Sequence, residues 1–307
     1  MSRFSPAPLL WVAALSLASG IDAAAQDLEP RRWTHLPVGT NIVGVGYAYT
    51  SGELQFDPVL RIENARVGLH TILASYNRYF SVADMTARVD LQVPYQRGTW
   101  DGLLNGVPTT VRRDGFGDPR IRLSMNFYGA PAMDAEEFRD HIRNEDERTI
   151  AGVALAVRVP LGEYNDDKLI NLGENRFSFQ PQIGVVHIFG PWSIEATASL
   201  FAYTDNDDFF GGNRLEQAPL YAIQMHVVRT FGQGWWVSAG SAYGRGGRTE
   251  INGTADDDVK SNLLYGASAG MSPAAGQSIS LMYIRHDALS STGGDFHNIV
   301  LTWAIRF

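Results

Sequence analysis

The 307-residue chain is 45% hydrophobic and 19% charged, which excludes a disordered polymer and provides for one large domain or two average ones. Its net charge of −8, with Lys168 and Lys260 the only lysines, excludes a basic nucleic-acid binder. The absence of cysteine excludes a disulfide scaffold, a thiolate metal centre and a cysteine nucleophile.

In chain order, Arg3 precedes an apolar run over 9–18, followed by Gly20 and Ala23-Ala24-Ala25, which reads as a secretory signal peptide over residues 1–25. The run is too short to cross a bilayer, and no later stretch reaches the roughly 18 apolar residues of a membrane helix. Residues 26–39 read as an N-terminal periplasmic segment, and 40–307 as one domain. Within it the period is two, and twelve strands are predicted: 40–50, 67–80, 84–95, 118–128, 149–160, 176–189, 192–203, 218–231, 235–245, 261–272, 277–286 and 297–307. The clearest alternation sets Ala87, Val89, Leu91 and Val93 against Arg88, Asp90, Gln92 and Pro94. The second strand is irregular, since its polar and apolar residues do not sort onto two faces, and a bulge near Ala74 would account for that.

Short turns alternate with loops of about ten residues or more, as in an up-and-down meander with one trim and one ragged end. The connection 129–148 breaks the rule. It falls on the short-turn side, yet Phe138 and Ile142 are spaced i and i+4, so a short amphipathic helix is expected there.

Alternation alone fits a soluble barrel, apolar inside, or a membrane barrel, apolar outside. The aromatic residues decide. Tyr79, Phe80, Phe189, Trp192, Phe231, Trp235, Trp236 and Phe307 gather at one end of the strands. Tyrosines such as Tyr47, Tyr49, Tyr95, Tyr203, Tyr221, Tyr243, Tyr265 and Tyr283 gather at the other. Two belts at two heights match the two interfaces of a bilayer. The expected fold is therefore all-β: a transmembrane up-and-down antiparallel β-barrel of about 12 strands, with its first and last strands paired because lipid tolerates no open edge. Outer-membrane lipid and lipopolysaccharide are its expected surroundings. Phe307, closing the run Leu301, Trp303, Ile305, resembles the C-terminal signal read by barrel-assembly machinery.

With apolar residues outward, the expected channel-lining residues are Arg88, Asp90, Arg120, Arg122, Arg158, Arg176, Glu195, Gln224, His226 and Arg306. Arginines outnumber carboxylates in this set, while Asp166-Asp167, Asp207-Asp208 and Asp256-Asp257-Asp258 lie in outer loops read as solvated. Two readings stay open for the wall: a constriction favouring anionic or hydrogen-bonding solutes, or a structural network through Arg88, Asp90 and Glu195. The seven histidines are scattered singly, without a His-Glu-x-x-His pattern, and Gly-x-Ser-x-Gly is absent. No catalytic residue, metal site or cofactor is read from the sequence. The functional expectation is passive passage of small solutes, with a rim hydrolase acting on lipid or peptide as the alternative.

Several segments carry a family resemblance: Val93-Pro-Tyr95, Gly115-Phe-Gly-Asp-Pro119, Gly129-Ala-Pro131, Pro160-Leu-Gly-Glu-Tyr164, Asn171-Leu-Gly-Glu-Asn-Arg176 and Pro219-Leu-Tyr221. Together they resemble the outer-membrane protein family named for the meta-pathway of phenol degradation, over about residues 40–307. The resemblance implies a transporter or channel for aromatic or hydrophobic compounds, and it brings no catalytic residues with it.

Overall fold

The computed structural model describes residues 28–55, 62–144 and 147–307, so the expected leader lies outside it. The strands are β1 (Asn41–Gln55), β2 (Ile62–Val82), β3 (Met85–Leu104), β4 (Val107–Phe116), β5 (Arg120–Tyr128), β6 (Glu147–Arg158), β7 (Ser178–Phe189), β8 (Trp192–Tyr203), β9 (Asn206–Phe209), β10 (Asn213–Gln217), β11 (Leu220–Thr230), β12 (Trp236–Gly246), β13 (Thr249–Ile251), β14 (Thr254–Ala255), β15 (Lys260–Met271), β16 (Gln277–Ala288) and β17 (Gly293–Arg306). One helix, α1 (Ala135–Asn144), fills the connection where the i, i+4 pair predicts it, with Phe138 buried.

Every wall strand pairs antiparallel with its neighbours, and β1 closes the ring on β17 from Ile42↔Arg306 to Gln55↔Gly293. The sheet has 13 strands, of which β4 and β5 share one place beside β3, so the wall counts 12. Side-chain direction settles the inside-out question. Val45, Ile72, Leu123, Ile183, Ile223 and Leu301 face out and are exposed, whereas Thr71, Gln92, Arg122, Gln182 and Gln224 face in and are buried. A polar interior inside an apolar exterior is stable only in lipid, where the strands satisfy one another's backbone groups. Among the described residues, no helix is long and apolar enough to cross a membrane.

Four expectations need correction. β2 alternates without a break from Ala65 to Phe80, and its register shift lies between Glu63 and Arg66, not near Ala74. Polar and apolar residues share its inner face because Val67, Leu69 and Tyr79 point inward, into apolar clusters inside the barrel. β2, at 21 residues, and β3, at 20, outrun the predicted 67–80 and 84–95, and the expected loop after β3 is the strand β4. Tyr79 and Trp236, expected in the periplasmic belt, face the interior and are almost fully buried. The fourth concerns residues 28–36, expected as a periplasmic segment. They are buried within the barrel, against side chains of its inner wall.

Candidate functional site

The interior is occupied by two chain segments that come from outside the wall. The first is the stretch preceding β1. Leu36 is wedged between Ile42, Tyr79 and Ala304 at the base, and Leu28 reaches Ala242, Leu264 and Ile284 higher in the bore. Trp33 marks its middle. The indole lies over Gly152 and Gly184, which are register partners on β6 and β7, and its Nε1 donates to Thr197 Oγ1 at 2.9 Å. A Cβ at either glycine would overlap the ring, so the slot exists only because both positions lack one.

Charge fixes the segment further. Arg122 grips both oxygens of Glu29, at 2.8 and 3.1 Å, and its Nε donates to Asp90 at 2.7 Å. Arg32 donates to the same Glu29 at 2.8 Å and also to Gln182. Arg88 binds Asp90 at 2.8 Å and Tyr79 at 3.1 Å. On the opposite wall, Gln224 accepts the Glu29 backbone N–H at 3.0 Å, and Glu195 accepts that of Arg31 at 2.7 Å. The Arg31 guanidinium stands 5.1 Å from the centre of the Trp236 ring. Fixed geometry and shared partners repay some of the desolvation cost of burying these ions, and loss of one member would leave the rest uncompensated.

Below, the segment rests on α1. His35 Nε2 bonds the Pro131 carbonyl at 2.9 Å, and its ring meets Phe138 edge-on at 4.9 Å. Asp134 caps α1 by accepting the Glu136 and Glu137 N–H groups at 2.8 and 2.9 Å, bonds that hold its carboxyl below the ordinary carboxylate range.

The second intruder is the outer loop 161–177, folded over the mouth. Asp118, in the break between β4 and β5, accepts the N–H of Gly162 with one oxygen and that of Glu174 with the other, both at 2.8 Å. Contact is close. A Cβ on Gly162 would stand 2.7 Å from the Asp118 nitrogen, and one on Gly173 would stand 2.9 Å from the Gly162 carbonyl carbon. Burial pushes the Asp118 carboxyl up, against the pull of the two N–H groups. Glu174 in turn binds Arg158 at 2.7 Å and Arg176 at 3.3 Å, while Arg176 stacks on Tyr203 at 4.5 Å. Under this cap, Leu172 joins Val67, Leu69, Trp100 and Phe296 in an apolar cluster at the mouth of the bore. Three of the strings that carry the family resemblance, around Gly117-Asp118, Gly162 and Gly173, therefore meet at one point.

All ten sequence-predicted residues face inward, but they fall into separate groups. Arg88, Asp90 and Arg122 are joined through Glu29. Arg120 donates to Gln92 at 3.0 Å nearby, with Glu195, Gln224 and His226 on the facing wall. Arg158 and Arg176 belong to the cap, and Arg306 sits at the periplasmic end of β17, in register with Ile42. The missed partners are Glu29, Arg32, Trp33 and Asp118. The available signal was a pair of glycines, Gly152 and Gly184, on inward positions of otherwise well-filled strands. Among the described residues, no group of three His, Asp or Glu could hold a metal ion.

These features define a closed 12-strand transmembrane β-barrel whose bore is filled by its own N-terminal segment and capped by an inward-folded loop. The chain belongs to the family described as the MetA-pathway of phenol degradation, whose model matches residues 38–293. Among solved structures it is similar to an outer membrane channel from Pseudomonas putida F1, with 21% identity, coverage of 91% of this chain and 99% of that one, and a TM-score of 0.76. Looser likenesses include the translocator domain of the autotransporter NalP from Neisseria meningitidis, at 11% identity, 90% and 91% coverage and a TM-score of 0.47. The TodX monoaromatic hydrocarbon channel stands at 9%, 91% and 93%, and 0.49. No curated protein matches the chain in sequence.

Proposed function

We propose that this protein is an outer-membrane channel for passive entry of small solutes, aromatic or otherwise apolar, exported through a cleaved leader and held shut by residues 28–36. The observation that carries the reading is the nature of the obstruction. A separable stretch of chain, not the wall's own side chains, fills the bore, so withdrawing it leaves a passage through an otherwise complete barrel. The apolar cluster under the cap favours a solute with little polar surface at the outer mouth. The family's name and the fold shared with a Pseudomonas putida F1 outer membrane channel support the same reading.

Planar-bilayer recording of the wild type and of a variant lacking residues 28–36 tests it. The wild type should show rare or small steps and the deletion large, stable ones. Two silent barrels would overturn the reading. For the cargo, cells with and without the gene should differ in uptake of a phenolic compound, and equal uptake would remove the aromatic assignment. With the segment gone, Arg88, Arg120 and Arg122 outnumber Asp90 and Glu195 in the bore, so reversal potentials in a salt gradient should report anion preference.

A further inference from the structure

The lipid-facing surface carries a polar row that transport does not use. Across the closing seam, five adjacent strands place their outward residues in one register: Arg97 on β3 faces His70 on β2, which faces Tyr49 on β1. Two residues along β1, Ser51 faces His297 on β17, which faces Arg285 on β16. On β17 the outward residues before this height are Ile305, Trp303, Leu301 and Ile299, and then His297 follows. The row thus lies at the outer edge of the apolar band, where cationic groups in hydrocarbon would be expensive without an anionic partner.

The protein supplies such a partner to Arg285 and, among the described residues, none to Arg97. Asp287 engages Arg285 at 2.5 Å, and Arg285 also reaches His297 Nε2 at 2.8 Å. Asp114, the register neighbour of Arg97 on β4, forms no ion pair with it. Hydroxyls of two tyrosines orient the imidazoles: Tyr47 contacts His70 Nδ1 and Tyr283 contacts His297 Nδ1, each at 2.7 Å. His70 thereby keeps its Nε2 for an outside partner, whereas both ring nitrogens of His297 are engaged, by Tyr283 and Arg285. His70 and His297 flank β1 two strand spacings apart and two residues out of step, about 12 Å in all, with an arginine one strand further out on each side.

We infer that this row is a binding site for the phosphorylated saccharide headgroup of an outer-leaflet glycolipid, with Arg97 and Arg285 as charge partners of its phosphates. The inference rests on the outer-membrane reading above. Conductance of the barrel lacking residues 28–36 tests that reading separately, so the two fail independently.

The test is native mass spectrometry of detergent-refolded full-length mature protein, titrated with bisphosphorylated lipid A and with its dephosphorylated form. The wild type should bind the phosphorylated lipid about tenfold more tightly or better, and inorganic phosphate at equal concentration should not compete. The variant R97Q/R285Q/H70Q/H297Q should lose the preference, while R229Q, at the periplasmic end of the same outer surface, should keep it. Heat-dependent gel mobility reports folding, and R97Q/R285Q alone decides the matter if the fourfold variant does not refold. A wild type without preference, a folded row variant that retains it, or competition by inorganic phosphate would each overturn the site.

Discussion

Trp33 shows how much of this molecule depends on single side chains. Its indole lies on the Gly152–Gly184 pair, so Trp33→Ala should remove on the order of 3–5 kcal/mol of local packing and raise the open probability in bilayer recordings. Gly184→Ala should do the same with Trp33 intact, because the new methyl group displaces the ring. Glu29 is the electrostatic counterpart. Glu29→Gln leaves Arg32 buried without its carboxylate and Arg122 with Asp90 alone, a loss on the order of 3–5 kcal/mol, read as longer openings and a shift toward anion preference. At the cap, Asp118→Asn can accept only one of the two N–H bonds, costing about 1–3 kcal/mol and speeding proteolysis within 161–177. The folded protein holds the Asp118 proton to a higher pH than the unfolded chain does. Its contribution is therefore full below the unfolded pKa and falls as pH rises through the folded one. Cap proteolysis should therefore increase as pH rises above the ordinary carboxylate range in the wild type and depend less on pH in the Asn variant.

Among the elements, the wall strands were the most legible. A half-buried strand writes its two environments into alternate residues, and β8 runs over 192–203 as the sequence predicts. β4 was not, because its outward residues above the membrane face water and its inward residues meet the cap, so polarity no longer tracks direction. The segment 28–36 carries no period at all. Its conformation is imposed by partners more than a hundred residues away, such as Gln182, Glu195 and Gln224, and a local pattern cannot encode them. α1 was legible through Phe138 and Ile142, but its use as a seat for His35 was not. Phe138→Ala should loosen that seat while leaving the barrel folded, seen as faster amide exchange over residues 33–38 with unchanged exchange in β6 and β7.

At the scale of the whole molecule, fold class and strand number followed from alternation and the aromatic belts, which also supplied the ten candidate lining residues. What those ten residues do in the closed barrel did not follow. Arg88, Asp90 and Arg122 read as pore lining or as structural network with equal justice until Glu29 is placed between them. The closing seam adds a constraint of time. The first strand can zip to the last only when the last has been delivered, and the residues just upstream of the first end up inside the ring so closed. Anything fused ahead of Leu28 shares that fate: a compact tag too wide for the bore should stall assembly, whereas the same tag trailing from a surface loop should be harmless.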